Sequence, residues 1–486
     1  MSPQSDASGG CFVSCQRYFT PATSPLGLKN EIFPTCKPTY PAIMSTSSVN
    51  EKIGRYRWRI CAVFFMATTV NYIDRNVFSF TMLDTTFRHQ MLGIPLDRTL
   101  TDADMAVFRE KMSFLDSIFK YCYAFGFLLA GYMIDRIGVR RGYTVSIGGW
   151  SLAAVLHGLV HTVPGMAWAR GLLGVGEAGN FPAAIKTVSE WFPRKERSFA
   201  TGIFNAGANV GIIVTALCVP VIIAHWGWRA SFIATGAIGV FVLFWWLAVY
   251  RTPEEHPKLS AEELAFIRQD GPPDVEKGVK WRELVKYRAT WAFAIPKFMT
   301  DAIWWFYLTW LPTFFNSNPE FTTKLDLKQV GIPFLVIYLV SDGGSIFFGW
   351  LATKFIGLGW RVNKARKITM LICALCVVPI VFASMTSNIS LAIGLIALAT
   401  AAHQGWSANL FTTVSDQFPR RAVGSVVGLG GLCGGLGGAL LAAKVGFIIN
   451  TGGYVPLFAI AASAYLLALL VMQMLSPKLE TVKLPE

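Results

Sequence analysis

Asp74 and Arg75 stand side by side in an otherwise apolar run from Ile60 to Met82, and Arg170 and Glu177 recur in a second such run. A charge near the middle of a bilayer costs roughly 2.5–3.5 kcal/mol even on the lenient insertion scale. Membrane segments therefore keep such groups where they face a protein interior or a wet cavity on a substrate or ion path. Seven residues advance a helix by nearly two turns, so Arg170 and Glu177 share one helix face about 10 Å apart and reach different depths of a cavity. A poorly hydrated carboxyl holds its proton more tightly, and a nearby arginine loosens that hold. A carboxyl under both influences can load and release a proton as the cavity opens to each side, while the arginine stays charged throughout. The structural alternative is a permanent ion network. Lys297 and Asp301, four apart, offer a second cation or simply neutralise each other. Lys120, Asp342 and His403 are weaker candidates within apolar runs, and His403 reads equally well as a packed, hydrogen-bonded histidine.

The elements that must hold these residues are membrane helices. The 486 residues are 53% hydrophobic and only 15% charged, and the mean hydropathy is +0.46, too apolar for an ordinary soluble protein. Apolar runs of about 20 residues predict spans at 58–82, 113–134, 142–162, 165–188, 198–223 and 229–250. A second set follows at 290–315, 330–353, 367–386, 389–412, 422–448 and 454–475. The expectation is an all-α membrane protein of twelve transmembrane helices. The net charge of +14 does not point to nucleic acid, because the basic residues fall on alternate loops. Arg55, Arg57 and Arg59 precede span 1, Arg136, Arg140 and Arg141 follow span 2, and Lys364, Arg366 and Lys367 precede span 9. By the positive-inside rule both termini are cytoplasmic.

The expected organisation is a disordered tail over 1–54, a six-helix bundle over 55–250, a polar linker over 251–289, a second bundle over 290–476 and a tail over 477–486. Residues 1–43 have no signal-peptide core. In the linker Ser260 and Glu263 have capping-box spacing ahead of Leu264, Phe266 and Ile267, which predicts a short amphipathic helix. Thr187-Val-Ser-Glu-Trp-Phe-Pro-Arg194 recurs as Thr413-Val-Ser-Asp-Gln-Phe-Pro-Arg420, an offset of 226 residues that makes the halves related. Paired halves that rock about a site at their interface are a recurrent transporter plan.

Several motifs lead nowhere. Gly174-Val-Gly176-Glu-Ala-Gly179 matches a dinucleotide fingerprint but lies inside an apolar span with no strand before it. His157 and His161 lack the adjacent glutamate of a zinc protease, and Cys373 and Cys376 have no second pair or nearby histidine. No metal, cofactor or enzymatic nucleophile is expected. The glycines of span 11, from Gly428 to Gly438, read as close helix packing.

The loop Gly131-Tyr-Met-Ile-Asp135-Arg136-Ile-Gly-Val-Arg140-Arg141 resembles the signature of the major facilitator superfamily, in which Asp135, Arg136 and Arg140 would form a cytoplasmic conformational latch. Asn71-Tyr72-Ile-Asp74-Arg75, together with Arg170 to Pro182, resembles its anion:cation symporter branch. Lys297 to Tyr307 and His403-Gln404-Gly-Trp406-Ser-Ala-Asn409 are similar to the bacterial hexuronate transporters. The first outer loop, Arg88 to Lys111, is longer than the resemblance leads one to expect. The resemblance implies two pseudo-symmetric bundles in a bacterial inner membrane and a monomer that imports glucuronate or galacturonate with protons by alternating access. It also implies that Glu177 and Asp74 carry protons with Arg170 tuning Glu177, and that Arg75, whose fork matches a carboxylate, clamps the substrate anion with Lys297 as a second cation. Sugar hydroxyls and ring faces would meet Tyr72, Tyr123, Trp304, Trp305, Gln404 and Asn409. Trp304 and Trp305 are about 100° apart, so one of them is expected to reach the cavity. The alternatives are another organic anion (an aldonate, an aldarate or an aromatic acid), sodium coupling, or a transport-dead sensor of sugar acids.

Overall fold

The computed structural model describes residues 54–269, 281–327 and 329–484. The expected tail over 1–54 lies outside them except for Gly54, as does the linker stretch 270–280. The helices are α1 (Tyr56–Thr81), α2 (Thr85–Leu92), α3 (Asp102–Leu159), α4 (Val163–Glu177), α5 (Asn180–Trp191), α6 (Arg194–Val249), the small α7 (Ala261–Ile267) and α8 (Trp281–Leu284), α9 (Arg288–Ser317), α10 (Gly331–Gly357), α11 (Val362–Val377), α12 (Ile389–Gln417), α13 (Arg420–Gly452) and α14 (Val455–Leu475).

Helix α3 turns back at Gly138 (φ 80°, ψ 160°) and α6 at Gly227 (φ 79°, ψ 165°), so each makes two passes. Helices α4 and α5 together make one pass, as do α11 and the 3₁₀ turn Val378–Ser384 that follows it. Among the described residues this makes twelve transmembrane passes in two six-helix halves, the first ending at Val249 and the second beginning at Arg288. Seven helical stretches, one of them the two-pass 200–249, are apolar enough to cross a membrane on composition alone. The other four passes are shorter, broken or carry the buried charges: α1, the second arm of α3, α4 with α5, and α9.

The repeat has a physical basis. Both copies end a helix, at Trp191 and Gln417, and restart one after a proline, Pro193 and Pro419, whose backbone angles nearly coincide (φ −63°, ψ 155° and φ −62°, ψ 151°). Proline lacks the N–H that would continue the first helix yet suits the start of the next. Gly227 and Gly453 (φ 66°, ψ −152°) stand at the same offset of 226 residues and make matching turns that side chains other than glycine resist.

One element begins far earlier than the hydropathy predicts. The second pass starts at Asp102, because Thr101 and Asp104 form a full capping box: the Asp104 amide donates to Thr101 Oγ1 (3.2 Å) and the Thr101 amide to Asp104 Oδ2 (2.9 Å). Together with α2, this helix takes up most of the long loop. In α7 Ser260 Oγ accepts from the Glu263 amide, but Glu263 does not complete the box. Its carboxylate instead caps the start of α1, accepting from the Tyr56 and Arg57 amides at 3.0 and 3.1 Å and from Arg57 Nη1 at 3.0 Å.

Helix ends on the side of Tyr56 and Leu475 define the near face, and those on the side of Thr81 and Asp102 the far face. On the far face the halves are tied together. The Gly446 amide donates to Ser113 Oγ (2.6 Å), Asn450 Nδ2 to the Ala106 carbonyl (2.9 Å), Arg109 Nε to Asn450 Oδ1 (2.6 Å) and Ser79 Oγ to the Leu308 carbonyl (3.1 Å).

Candidate functional site

Pro182 has no N–H to give the carbonyl of Ala178, and the fourth pass breaks there into α4 and α5. The break leaves Glu177 as the last residue of α4, at 0% exposure. The nearby glycines serve packing: a Cβ at Gly176 would stand 2.6 Å from the Trp150 amide, and one at Gly174 would strike the Phe119 carbonyl. Asn180 pins the restart, accepting from Tyr143 Oη (2.6 Å) and donating to Thr68 Oγ1 (3.2 Å).

Glu177 Oε2 accepts a 2.8 Å hydrogen bond from Arg75 Nε, while its Oε1 is buried with no partner. The Arg75 guanidinium lies 4.5, 4.8 and 5.0 Å from the ring centres of Tyr72, Tyr123 and Trp305. Those faces attract a cation, and they hold the arginine at the wall of a cavity of about 450 Å³ between the halves. Tyr72, Arg75 and Tyr123 form its wall from the first half. Lys297, Asp301, Trp304, Trp305, His403 and Gln404 form the opposite wall. The cavity runs from Arg75 toward the near face, where Ile185, Thr201 and Phe411 line it.

Both tryptophans reach the cavity, contrary to the expectation of one. The edge of α9 projects between the halves, so Trp305 packs toward Tyr123 (5.6 Å) and Trp304 stacks on His403 (4.7 Å, 6° between planes). His403 Nδ1 is 2.6 Å from Tyr465 Oη. Lys297 Nζ binds Asp301 Oδ2 at 2.6 Å.

Two placements differ from the sequence expectations. Asp74 does not line the cavity: it is 1% exposed, neither oxygen has a hydrogen bond, and its neighbour Thr235 donates to Phe232. Adjacent residues on a helix point about 100° apart, so Arg75 at the cavity wall turns Asp74 into the first half. Asn409 is also off the cavity, with Nδ2 donating to the carbonyls of Gly405 (2.9 Å) and Phe348 (3.4 Å). Arg170 pairs with Asp116 (3.6 Å) and lies over Phe78 and Phe119, within electrostatic reach of Glu177, which itself pairs with Arg75. Of the latch residues, Arg140 Nη2 donates to the Leu247 carbonyl (3.2 Å) and Arg136 lies over Tyr132 (4.6 Å), both within the first half. The Asp135 side chain is outside the described set.

Asp116 is the residue the sequence reading missed. Fully buried on α3, it takes Lys120 Nζ at 2.6 Å, Trp310 Nε1 at 3.3 Å and Thr309 Oγ1 at 3.3 Å. It thereby ties the first half to α9 between the cavity and the far face. Its four-residue spacing from Lys120 was the available signal.

A bundle with a charged, aromatic-walled cavity between two matching halves defines a membrane transporter, not an enzyme. The chain belongs to the Major Facilitator Superfamily, whose profile matches residues 64–442. It is 30% identical over 426 residues to a hexuronate transporter of Escherichia coli (strain K12), covering 86% of this chain and 94% of that one. It is 27% identical over 428 residues to a probable galactarate/D-glucarate transporter of the same organism, covering 84% and 91%. In fold it is similar to a D-xylose-proton symporter (TM-score 0.67, 14% identity, covering 88% of this chain and 100% of that one). The inward-open form of the Escherichia coli xylose transporter gives a TM-score of 0.65 at 16% identity, covering 87% and 97%.

Proposed function

We propose that this protein is a proton-coupled importer of hexuronates such as glucuronate and galacturonate, working by alternating access with both termini in the cytoplasm of a bacterial inner membrane. The observation that carries the reading is Arg75 at the cavity wall with Glu177 buried behind it, one Glu177 oxygen bound to the guanidinium and the other unpartnered. A substrate carboxylate arriving at Arg75 competes with Glu177 for the guanidinium. A buried carboxylate stripped of its cation costs several kcal/mol, and a proton on Glu177 removes that cost. Anion and proton therefore load together. Tyr72, Tyr123, Trp304, Trp305 and Gln404 supply ring faces and polar atoms for a sugar acid. The ties at the far face and a cavity reaching toward the near face correspond to an inward-facing state. The relatives' names support the substrate class.

Lys297, a second cation on the facing wall, favours a dicarboxylic sugar acid as the second reading. Competition of unlabelled galactarate against labelled glucuronate uptake separates the two. The test of coupling is Glu177→Gln in proteoliposomes: accumulation driven by an inward proton gradient falls well below wild type while substrate binding persists. Accumulation at the wild-type level would refute the role given to Glu177.

A further inference from the structure

Across the cavity from Arg75 stands an acid, Asp301, on α9 of the other half. Its side chain is 17% exposed and lines the cavity, whereas Asp74 is sealed inside the first half. Asp301 Oδ2 holds Lys297 Nζ at 2.6 Å and rests against Gly434 of α13, where any Cβ would collide with the carboxylate. The ammonium also lies 4.5 Å from the Phe411 ring. Tyr72 of α1 and Tyr465 of α14 stand within electrostatic reach of Asp301, and His403 of α12 within reach of Lys297. Lys297 is the only basic side chain bonded to this carboxylate among the described residues. Each wall therefore carries a cation held by an acid: Glu177 lies buried behind Arg75, whereas Asp301 itself borders the cavity beside Lys297.

We propose that Asp301 is a second proton-carrying carboxylate, which holds Lys297 while the cavity is empty and gives it up in protonated form when a polar group of the substrate takes the ammonium. The proton comes from water in the open cavity onto an Asp301 oxygen and returns to water once the substrate has left, so no other reactant is needed. The glycine at position 434 gives the carboxylate room to stay on Lys297. This inference rests on proton coupling through Glu177 and adds one proton per cycle to it.

The experiment measures protons moved per glucuronate in proteoliposomes, from the substrate gradient that just balances an imposed pH gradient at zero membrane potential. Asp301→Asn is expected to lower the ratio by one proton while glucuronate counterflow continues at a reduced rate. Because Asp301→Asn leaves Lys297 without its counter-charge, the double variant Lys297→Gln/Asp301→Asn is measured beside it and is expected to show the same lowered ratio. An unchanged ratio in either variant overturns the proposal and leaves the pair a permanent structural bridge. A wild-type ratio of zero instead removes the coupled reading on which it rests, so the two failures are distinct.

Discussion

At the scale of single residues, the site depends on how each charge is paired. In the proposed cycle Arg75 surrenders Glu177 to take the substrate carboxylate, so its fork geometry would decide recognition. Arg75→Lys keeps the charge but loses bidentate contact worth about 1.5–3 kcal/mol, and KM for glucuronate is expected to rise roughly 10- to 100-fold in uptake assays. An unchanged KM would remove the clamp. Asp116 predicts a different failure. With Lys120 and Arg170 both buried against it, Asp116→Asn leaves cations short of their counter-charge, a loss of about 3–5 kcal/mol that detergent-solubilised protein should show as a lowered Tm. The charges of Arg75, Glu177 and Lys297 were legible because an ionised group inside an apolar run has few reasons to be there. Which acid met which cation was not legible. Arg170 and Glu177 share a face, yet each bonds to a different helix, and only the packing of α1 and α3 against α4 decides that.

Individual helices were legible wherever hydropathy changes sharply and illegible where a polar cap extends them. Thr101 and Asp104 carry α3 well beyond its apolar stretch, a start signal that a hydropathy window averages away. The turning glycines make a direct test. At Gly227 the backbone angles (φ 79°, ψ 165°) belong to a region that essentially only glycine occupies, so Gly227→Ala is expected to cost about 1–3 kcal/mol and lower Tm, with Gly453→Ala behaving alike. A Tm equal to wild type would show that the turn relaxes freely. The start of the linker carries a pH-dependent contact. His256 packs on Tyr56 at 4.2 Å, its Nε2 bonds the Val249 carbonyl at 3.1 Å, and its Nδ1 accepts from the Lys258 amide at 3.2 Å. That pair of bonds requires the neutral ring. Burial pushes the imidazole below its ordinary 6.5, and Arg251 and Lys258 push the same way against the Val249 carbonyl. The undocked linker therefore binds the proton more readily, so docking is complete above that ordinary value and weakens as pH falls below it. Tryptic cleavage at Lys258 is expected to quicken between pH 7.5 and about 5.5, and His256→Gln should abolish the change.

For the whole molecule, the halves close at the far face and the cavity lies between them and the near face. The repeat of 226 residues foretold two related halves, because the same Phe-Pro break recurs at the same point of each. The closed face was not foretold, since Ser113, Asn450 and the Ala106 carbonyl acquire meaning only when α13 lies against α3. In a background without the nine native cysteines, the pair Ala106→Cys and Asn450→Cys is expected to cross-link on oxidation and halt uptake until reduced. Full transport by the cross-linked protein would contradict alternating access through that face. The central claim, that an organic anion and a proton enter together through the Arg75–Glu177 pair, is tested most directly by a pH dye sealed inside proteoliposomes that hold the protein. Added outside with no other gradient, glucuronate should acidify the lumen in step with its own entry, and the Glu177→Gln protein should acidify it less for each glucuronate that enters. Entry of glucuronate into wild-type vesicles with no change in lumenal pH would contradict the account.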